Sequence, residues 1–259
     1  MELKNNTILI TGGTSGLGYQ FATKLLSLGN TVIITGRNPE KLDLIKKDLP
    51  GVHIFQSDVS DPEAIRSLFN NVVSQFPELN ILINNAGEMR SINLQDTAND
   101  LIDMTREIEI NLIGPVRMVQ QFLPQLRKMK SAAILNVTSG IALVPFPLAP
   151  IYGATKSGLR SYTKSLRIQL KNTPVKVFEL AAPGAKTPIS DQFENVDGFD
   201  SKILMEPDKI IDAAIKGLKN DDLEIYPGLA RVLLIMSRLA PAFILKQTGK
   251  VGANLMVAK

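Results

Sequence analysis

The sequence predicts an α/β fold: a doubly wound parallel sheet of seven strands with helices on both faces. Three observations carry this. Seven short apolar runs recur along the chain, amphipathic stretches of helical period separate them, and a glycine-rich turn follows the first run directly. Strand–helix alternation of this kind argues for βαβ units, and right-handed crossovers then favour a doubly wound sheet.

The runs are "TILIT" (7–11), "TVIIT" (31–35), "VHIF" (52–55), "LNILIN" (79–84), "AAILNVTS" (132–139), "VKVFEL" (175–180) and "LEIY" (223–226). Each has strand length, and the near-absence of polar alternation marks strands buried on both faces. Stretches such as "LGYQFATKLLSLG" and "PEAIRSLFNNVVSQF" supply the covering helices. No repeat, low-complexity segment or linker divides residues 1–259, so a single domain is expected.

Two regions break the rhythm. Residues 183–207 hold Pro, Gly and acidic residues after the sixth run. Ligands of open α/β sheets bind beyond the carboxyl ends of the strands, so a substrate lid is expected at about 188–207. The C-terminal extension, about 227–259, is apolar but interrupted by Arg231, Arg238 and Pro241, which does not read as a membrane span. Leu229, Val232, Met236, Leu239 and Phe243 share one helical stripe with Arg231, Arg238 and Lys246 as a basic edge. A helix covering the sheet or a subunit contact is expected there, with a membrane-surface helix as the alternative.

Composition closes off several chemistries. The chain has no cysteine, hence no disulfide, thiolate metal site or cysteine nucleophile. Its single histidine, His53, lies in a strand pattern and reads as a partly exposed structural residue; no histidine-rich metal site is possible, and no metal is expected. The net charge of +4 suits an anionic cofactor without implying nucleic acid. The opening "MELKNNTILI" has no long apolar h-region, so a cytoplasmic location is the expectation.

The turn "TGGTSGLG" places Gly12, Gly16 and Gly18 in the pattern TGxxxGxG between the first strand and the first helix. Glycines allow backbone to approach a ligand closely, and a helix N-terminus offers unpaired N–H groups to a pyrophosphate. Gly12, Thr14, Ser15, Gly16, Leu17 and Gly18 are therefore candidate dinucleotide contacts of a Rossmann-type fold. The second strand ends in Gly36, Arg37 and Asn38, with no acid to take the ribose 2′-hydroxyl of NAD. A guanidinium pairs with a 2′-phosphate, which favours NADP(H) over NAD(H).

The reaction is expected in "NVTSGIALVPFPLAPIYGATKSGLRSYTKSL". Tyr152 and Lys156, four apart, project from one helix face, and Ser139 ends a central strand thirteen residues earlier. A phenol near pKa 10 is a poor base at neutrality. An ammonium about 4 Å away contributes roughly 4 kcal/mol at an effective dielectric of 20, enough to lower it by about three pK units before desolvation. Asn111 adds a polar group on a helix. Pro115, four residues on, has no N–H for the Asn111 carbonyl, so a kink is expected there.

In order along the chain stand TGxxxGxG at 11–18, Asp58 in "SDVSD", "NNAG" at 84–87, Asn111, Ser139 and Tyr152-x-x-x-Lys156. By these marks the chain resembles the short-chain dehydrogenase/reductase family over nearly its whole length. More narrowly, "NTILITGGTSGLG", "PELNILINNAG", "KNTPVKVFEL" and "LEIYPGLAR" resemble the bacterial DltE-like oxidoreductases, named for genes of teichoic-acid D-alanylation.

The resemblance implies an oxidoreductase interconverting a carbonyl and a secondary alcohol. Tyr152 would be the acid/base, Ser139 would orient the carbonyl oxygen, Lys156 would hold the nicotinamide ribose, and Asn111 would support a proton relay through its free carbonyl. It further implies adenine contacts at Asp58 and Val59, and cofactor contacts at Asn84, Asn85, Ala86 and Gly87. The family's Pro-Gly before a carboxamide-binding threonine would fall on Ala182-Pro183 counting back from Thr187, so Pro183, Gly184 and Thr187 are candidates with the pair displaced by one. A homodimer or homotetramer through the helices at 98–128 and 153–171 is implied. A substrate pocket is expected from Glu88 to Asn93, Ile141 to Pro150 and the lid. The alternatives are a catalytically silent dinucleotide-binding regulatory protein, or a peripheral membrane reductase of cell-envelope metabolism.

Overall fold

The computed structural model describes residues 1–257 apart from Thr97 and Asn99; Ala258 and Lys259 of the C-terminal extension lie outside the described residues. Seven strands form one sheet: β1 (Thr7–Thr11), β2 (Thr31–Gly36), β3 (His53–Gln56), β4 (Leu79–Asn84), β5 (Ala132–Ser139), β6 (Val175–Ala182) and β7 (Glu224–Ile225). All neighbours pair in parallel, in the order β3-β2-β1-β4-β5-β6-β7. The chain reverses its direction of winding between β1 and β4, which opens a crevice at their carboxyl ends.

Successive side chains explain why these strands are apolar throughout. Ile8 and Ile10 pack on one face beside Phe21 and Leu25, while Leu9 between them packs on the other beside Phe122 and Leu126. Every one of these residues is buried, so period-2 alternation puts apolar groups into both helix layers.

The first layer includes α1 (Gly16–Ser27) and α8 (Pro207–Asn220); the other includes α3 (Pro62–Gln75), α5 (Gly114–Leu126) and α6 (Pro150–Gln169). Several helices start on proline after a polar cap. Asn38 accepts the Lys41 N–H at 2.7 Å ahead of α2 (Pro39–Asp48), and Asp61 accepts the Glu63 N–H at 2.8 Å ahead of α3. His53 carries an exposed ring edge-on to Phe76, with centroids 4.6 Å apart.

Two expectations change. Strand β6 runs two residues beyond "VKVFEL", because Ala181 and Ala182 pair with Thr138 and Ser139 of β5. The C-terminal stripe is not one helix. α9 (Leu229–Leu239) and α10 (Pro241–Thr248), which follow the short helix α7 (Pro188–Asp191), meet at Ala240 because Pro241 has no N–H to continue the ladder. The stripe residues Val232, Leu239 and Phe243 face solvent instead of the sheet.

Candidate active site

A cavity of about 540 Å³ runs along the carboxyl ends of the strands, from Arg37 and Asp58 at one end to Ser139, Tyr152 and Lys156 at the other. Its volume is in the range of small-molecule sites. Thr14, Ser15, Gly16 and Leu17 form its floor at the start of α1. Ser15 is extended there and its side chain caps nothing, so the first-turn N–H groups of α1 are left for a ligand.

Two of the glycines also have a packing role. A Cβ on Gly18 would lie 2.1 Å from the Gly12 carbonyl oxygen, and one on Gly12, whose φ is +68°, would lie 2.8 Å from Ala86 Cα. Protein crowds both positions, so glycine lets α1 and the loop after β4 approach the turn; Gly12 still lines the cavity, whereas the Gly12 carbonyl shuts Gly18 off from it. Gly18 accordingly does not line the cavity. Gly16, with φ +53°, does; its missing side chain faces Thr187 across the crevice.

At one end Arg37, Asn38, Asp58 and Val59 all line the cavity, joined by Lys41, which the sequence reading missed. Arg37 is exposed and makes no ion pair among the described residues. Asp58 accepts two hydrogen bonds from Ser60 through Oδ1. Asn85, Ala86 and Gly87 border the middle, with Asn85 Nδ2 donating to the Thr11 and Gly12 carbonyls. Asn84 does not border it. Its Nδ2 donates to Asn136 Oδ1 at 2.8 Å, so it ties β4 to β5 inside the sheet.

The opposite end, with Ser139, Tyr152 and Lys156, is built on β5 and α6. Thr138 Oγ1 donates to Glu179 at 2.7 Å, and Glu179 pairs with Arg160 at 2.7 Å, anchoring the strand that carries Ser139. Lys156 Nζ donates to the Val137 carbonyl at 2.9 Å and lies 5.7 Å from the Tyr152 ring centroid. A Cβ on Gly87 would sit 3.2 Å from Asn111 Oδ1 and 3.5 Å from Lys156 Nζ, so Gly87 keeps open the gap between them.

Burial governs the titration of this pair. It pushes the Tyr152 phenol up to about 12, the nearby Ser139 hydroxyl opposing and the charge of Glu107 adding to the rise. It pulls the Lys156 ammonium down to about 8. The expected downward pull of Lys156 on Tyr152 is therefore overtaken in the cofactor-free protein, because desolvation disfavours both charged forms.

Asn111 lies just behind the cavity wall. Its Oδ1 accepts the Glu88 N–H at 2.9 Å and its Nδ2 donates to the Glu88 carbonyl at 2.7 Å, clamping the rim segment. The helix around it widens into a π turn, Glu109–Ile113, where Gly114 N–H bonds back to the Glu109 carbonyl, instead of simply kinking at Pro115. One turn before Asn111, Glu107 of α4 (Leu101–Ile108) is fully buried. It accepts the Arg90 N–H at 3.0 Å, leaves Oε2 without a hydrogen-bond partner among the described residues though 3.8 Å from Arg90 Nε, and is pushed up to about 6 by burial.

Pro183, Gly184 and Thr187 line the cavity, as do Met89, Ile141, Phe146, Phe193, Phe199 and Leu204. Glu88 to Asn93 contribute less than expected: Asn93 turns away to the Val257 carbonyl, and Glu88 pairs with Arg106. Leu229, Leu233 and Val251 complete an apolar wall that the sequence reading did not include. The spacing of Leu229 and Leu233 within an apolar helix gave no sign of which side would face the site.

The family model for short chain dehydrogenases matches residues 6–197. The chain is a short-chain dehydrogenase. The uncharacterized oxidoreductase DltE of Bacillus subtilis is 38% identical over 225 residues, spanning 87% of this chain and 89% of that protein. Two solved members share 26% identity. A 3-ketoacyl-(acyl-carrier-protein) reductase from Brucella melitensis, complexed with NADH, matches with a TM-score of 0.75 over 83% of this chain and 91% of its own. A short-chain dehydrogenase from Sphingobium yanoikuyae, in complex with NADPH, matches at 0.76 over 86% and 88%. This short-chain dehydrogenase thus belongs to an NAD(P)-dependent oxidoreductase family acting on small molecules, and its site residues stand on the family's fold.

Proposed function

We propose that this short-chain dehydrogenase is an NADP(H)-dependent oxidoreductase interconverting a carbonyl and a secondary alcohol, with Tyr152 as acid and base. One observation carries the reading: a single cavity joins an unpaired Arg37 to Ser139, Tyr152 and Lys156. Its residues suit a dinucleotide. The uncapped start of α1 receives a pyrophosphate, Asp58 and Val59 flank an adenine, and Asn85 to Gly87 with Thr187 border the nicotinamide end. Arg37 and Lys41 favour a 2′-phosphate, and Glu40, the nearest carboxylate in sequence, does not line the cavity.

The bound cofactor supplies or takes up the hydride. Tyr152, held protonated at neutral pH by burial, gives its proton to the carbonyl oxygen as the carbon is reduced. Ser139 holds that oxygen by a hydrogen bond. Lys156, fixed by the Val137 carbonyl, keeps further N–H donors for a ribose and for the phenolate that forms. Asn111, by clamping Glu88, fixes the rim of the site and the gap at Gly87. Oligomerisation through α4–α5 and α6 accompanies this reading, with Ile168 of α6 exposed for such a contact.

Fluorescence titration with NADPH and NADH, followed by a screen of carbonyl compounds at the NADPH absorbance, tests the reading. Micromolar NADPH affinity, weaker NADH binding and consumption with apolar ketones or aldehydes are expected. Binding of neither nucleotide, or a clear preference for NADH, overturns it.

A further inference from the structure

The C-terminal helix pair shows its apolar side to solvent. On α9, Ala230 is buried and Leu233 reaches the cavity wall, which fixes the inward face. The opposite face carries Val232 (50% exposed), Ile235 (48%) and Leu239 (77%), and Phe243 of α10 is 55% exposed. A helical period of 3.6 places Val232, Ile235 and Leu239 within one sector, with Arg231 and Arg238 together along its edge. Such a clustered apolar surface marks an interaction site.

Charge identifies the occupant. Residues 227–259 contain five lysines and arginines and no aspartate or glutamate. Arg231, Arg238 and Lys246 make no ion pair among the described residues. A second copy docking by a two-fold axis would bring this patch against itself, setting the arginines of one copy against those of the other. An apolar helix face edged by cations suits a bilayer surface of anionic lipid, where acyl chains take the apolar groups and headgroups take the charges. No helix among the described residues is long and apolar enough to cross a membrane, so the contact is peripheral.

We infer that α9 and α10 dock the protein on an anionic membrane surface. Leu229 and Leu233 of the same helix wall the cavity, so docking sets the apolar end of the site beside the lipid. The inference needs neither the cofactor nor the chemistry proposed above, and its readout is lipid binding.

Sedimentation of the full chain with vesicles tests it. The protein is expected to pellet with vesicles of mixed phosphatidylglycerol and phosphatidylcholine at low salt, to be released at high salt, and to ignore phosphatidylcholine alone. A cation near an anionic surface is worth about fivefold in partitioning, so R231Q/R238Q should bind about 25-fold more weakly. I235E/L239E should lose binding while keeping its thermal transition. Absence of wild-type binding at low salt overturns the inference, as does undiminished binding of R231Q/R238Q. Conversion of an oligomer to monomer by I235E/L239E, with vesicles ignored by both forms, also overturns it and assigns the face to a second copy.

Discussion

Lys156 Nζ donates to the backbone carbonyl of Val137 at 2.9 Å from a position that is almost completely buried. The hydrogen bond orients the amine, but water is not there to solvate its charge, and its pKa falls to about 8. A base whose folded pKa lies below its unfolded value, 10.5 here, binds fewer protons folded than unfolded between the two. Stability from this group therefore rises with pH across about 8 to 10.5. In K156M the contribution is absent. The stability difference between K156M and wild type should shift toward wild type by up to about 3 kcal/mol across that window, read by urea denaturation at several pH values. A constant difference would mean that the amine is not desolvated.

Tyr152 provides the second prediction. Y152F removes only the hydroxyl, so nucleotide binding should persist while kcat falls by about 10²–10⁴-fold, the range for a positioned acid. With the phenol pushed up to about 12 in the free protein, carbonyl reduction should hold across neutral pH and alcohol oxidation should rise with pH. Initial rates in both directions between neutral and alkaline pH check this. Retained turnover in Y152F would remove Tyr152 from the mechanism.

The proposed nucleotide preference rests on Arg37. Loss of a charged hydrogen-bonding partner is worth about 1.5–3 kcal/mol, so R37Q should weaken NADPH binding by about 10- to 100-fold and leave NADH nearly unchanged. Titration of both nucleotides against both proteins measures it. An equal loss for the two would show that Arg37 does not meet the 2′ position.

Glu107 offers a prediction about stability. Its carboxyl titrates near 6, above the unfolded value of 4.5, because burial outweighs the Arg90 contacts. The folded protein binds the extra proton between these values, so the stability contributed by this group is present below 4.5 and lost as pH rises through 6. About 2 kcal/mol disappears across the window in wild type and should not in E107Q, which keeps an acceptor for the Arg90 N–H. Denaturation midpoints of the two proteins between pH 4.5 and 7 test this.

The sequence by itself determined the seven-stranded doubly wound sheet, because strands buried on both faces carry apolar residues at every position, as Ile8, Leu9 and Ile10 do. It also located the turn at Gly12 to Gly18, the end of β5 at Ser139, and the Tyr152–Lys156 pair one helical turn apart, since turn positions, strand ends and i, i+4 spacing are local features of the chain.

Only the tertiary structure decided what depends on neighbours distant in sequence. It showed that Gly18 is closed off by the Gly12 carbonyl, that Asn84 faces Asn136 instead of the cavity, and that Asn111 clamps Glu88. It also turned α9 so that Leu233 faces the site and Leu239 faces solvent. The same burial that builds the site raises the Tyr152 pKa and lowers that of Lys156, each opposite in direction to what charge proximity alone predicts. Apolar periodicity says that a side chain will be covered or paired; which partner covers it, and how far water is excluded, is set when remote segments pack together.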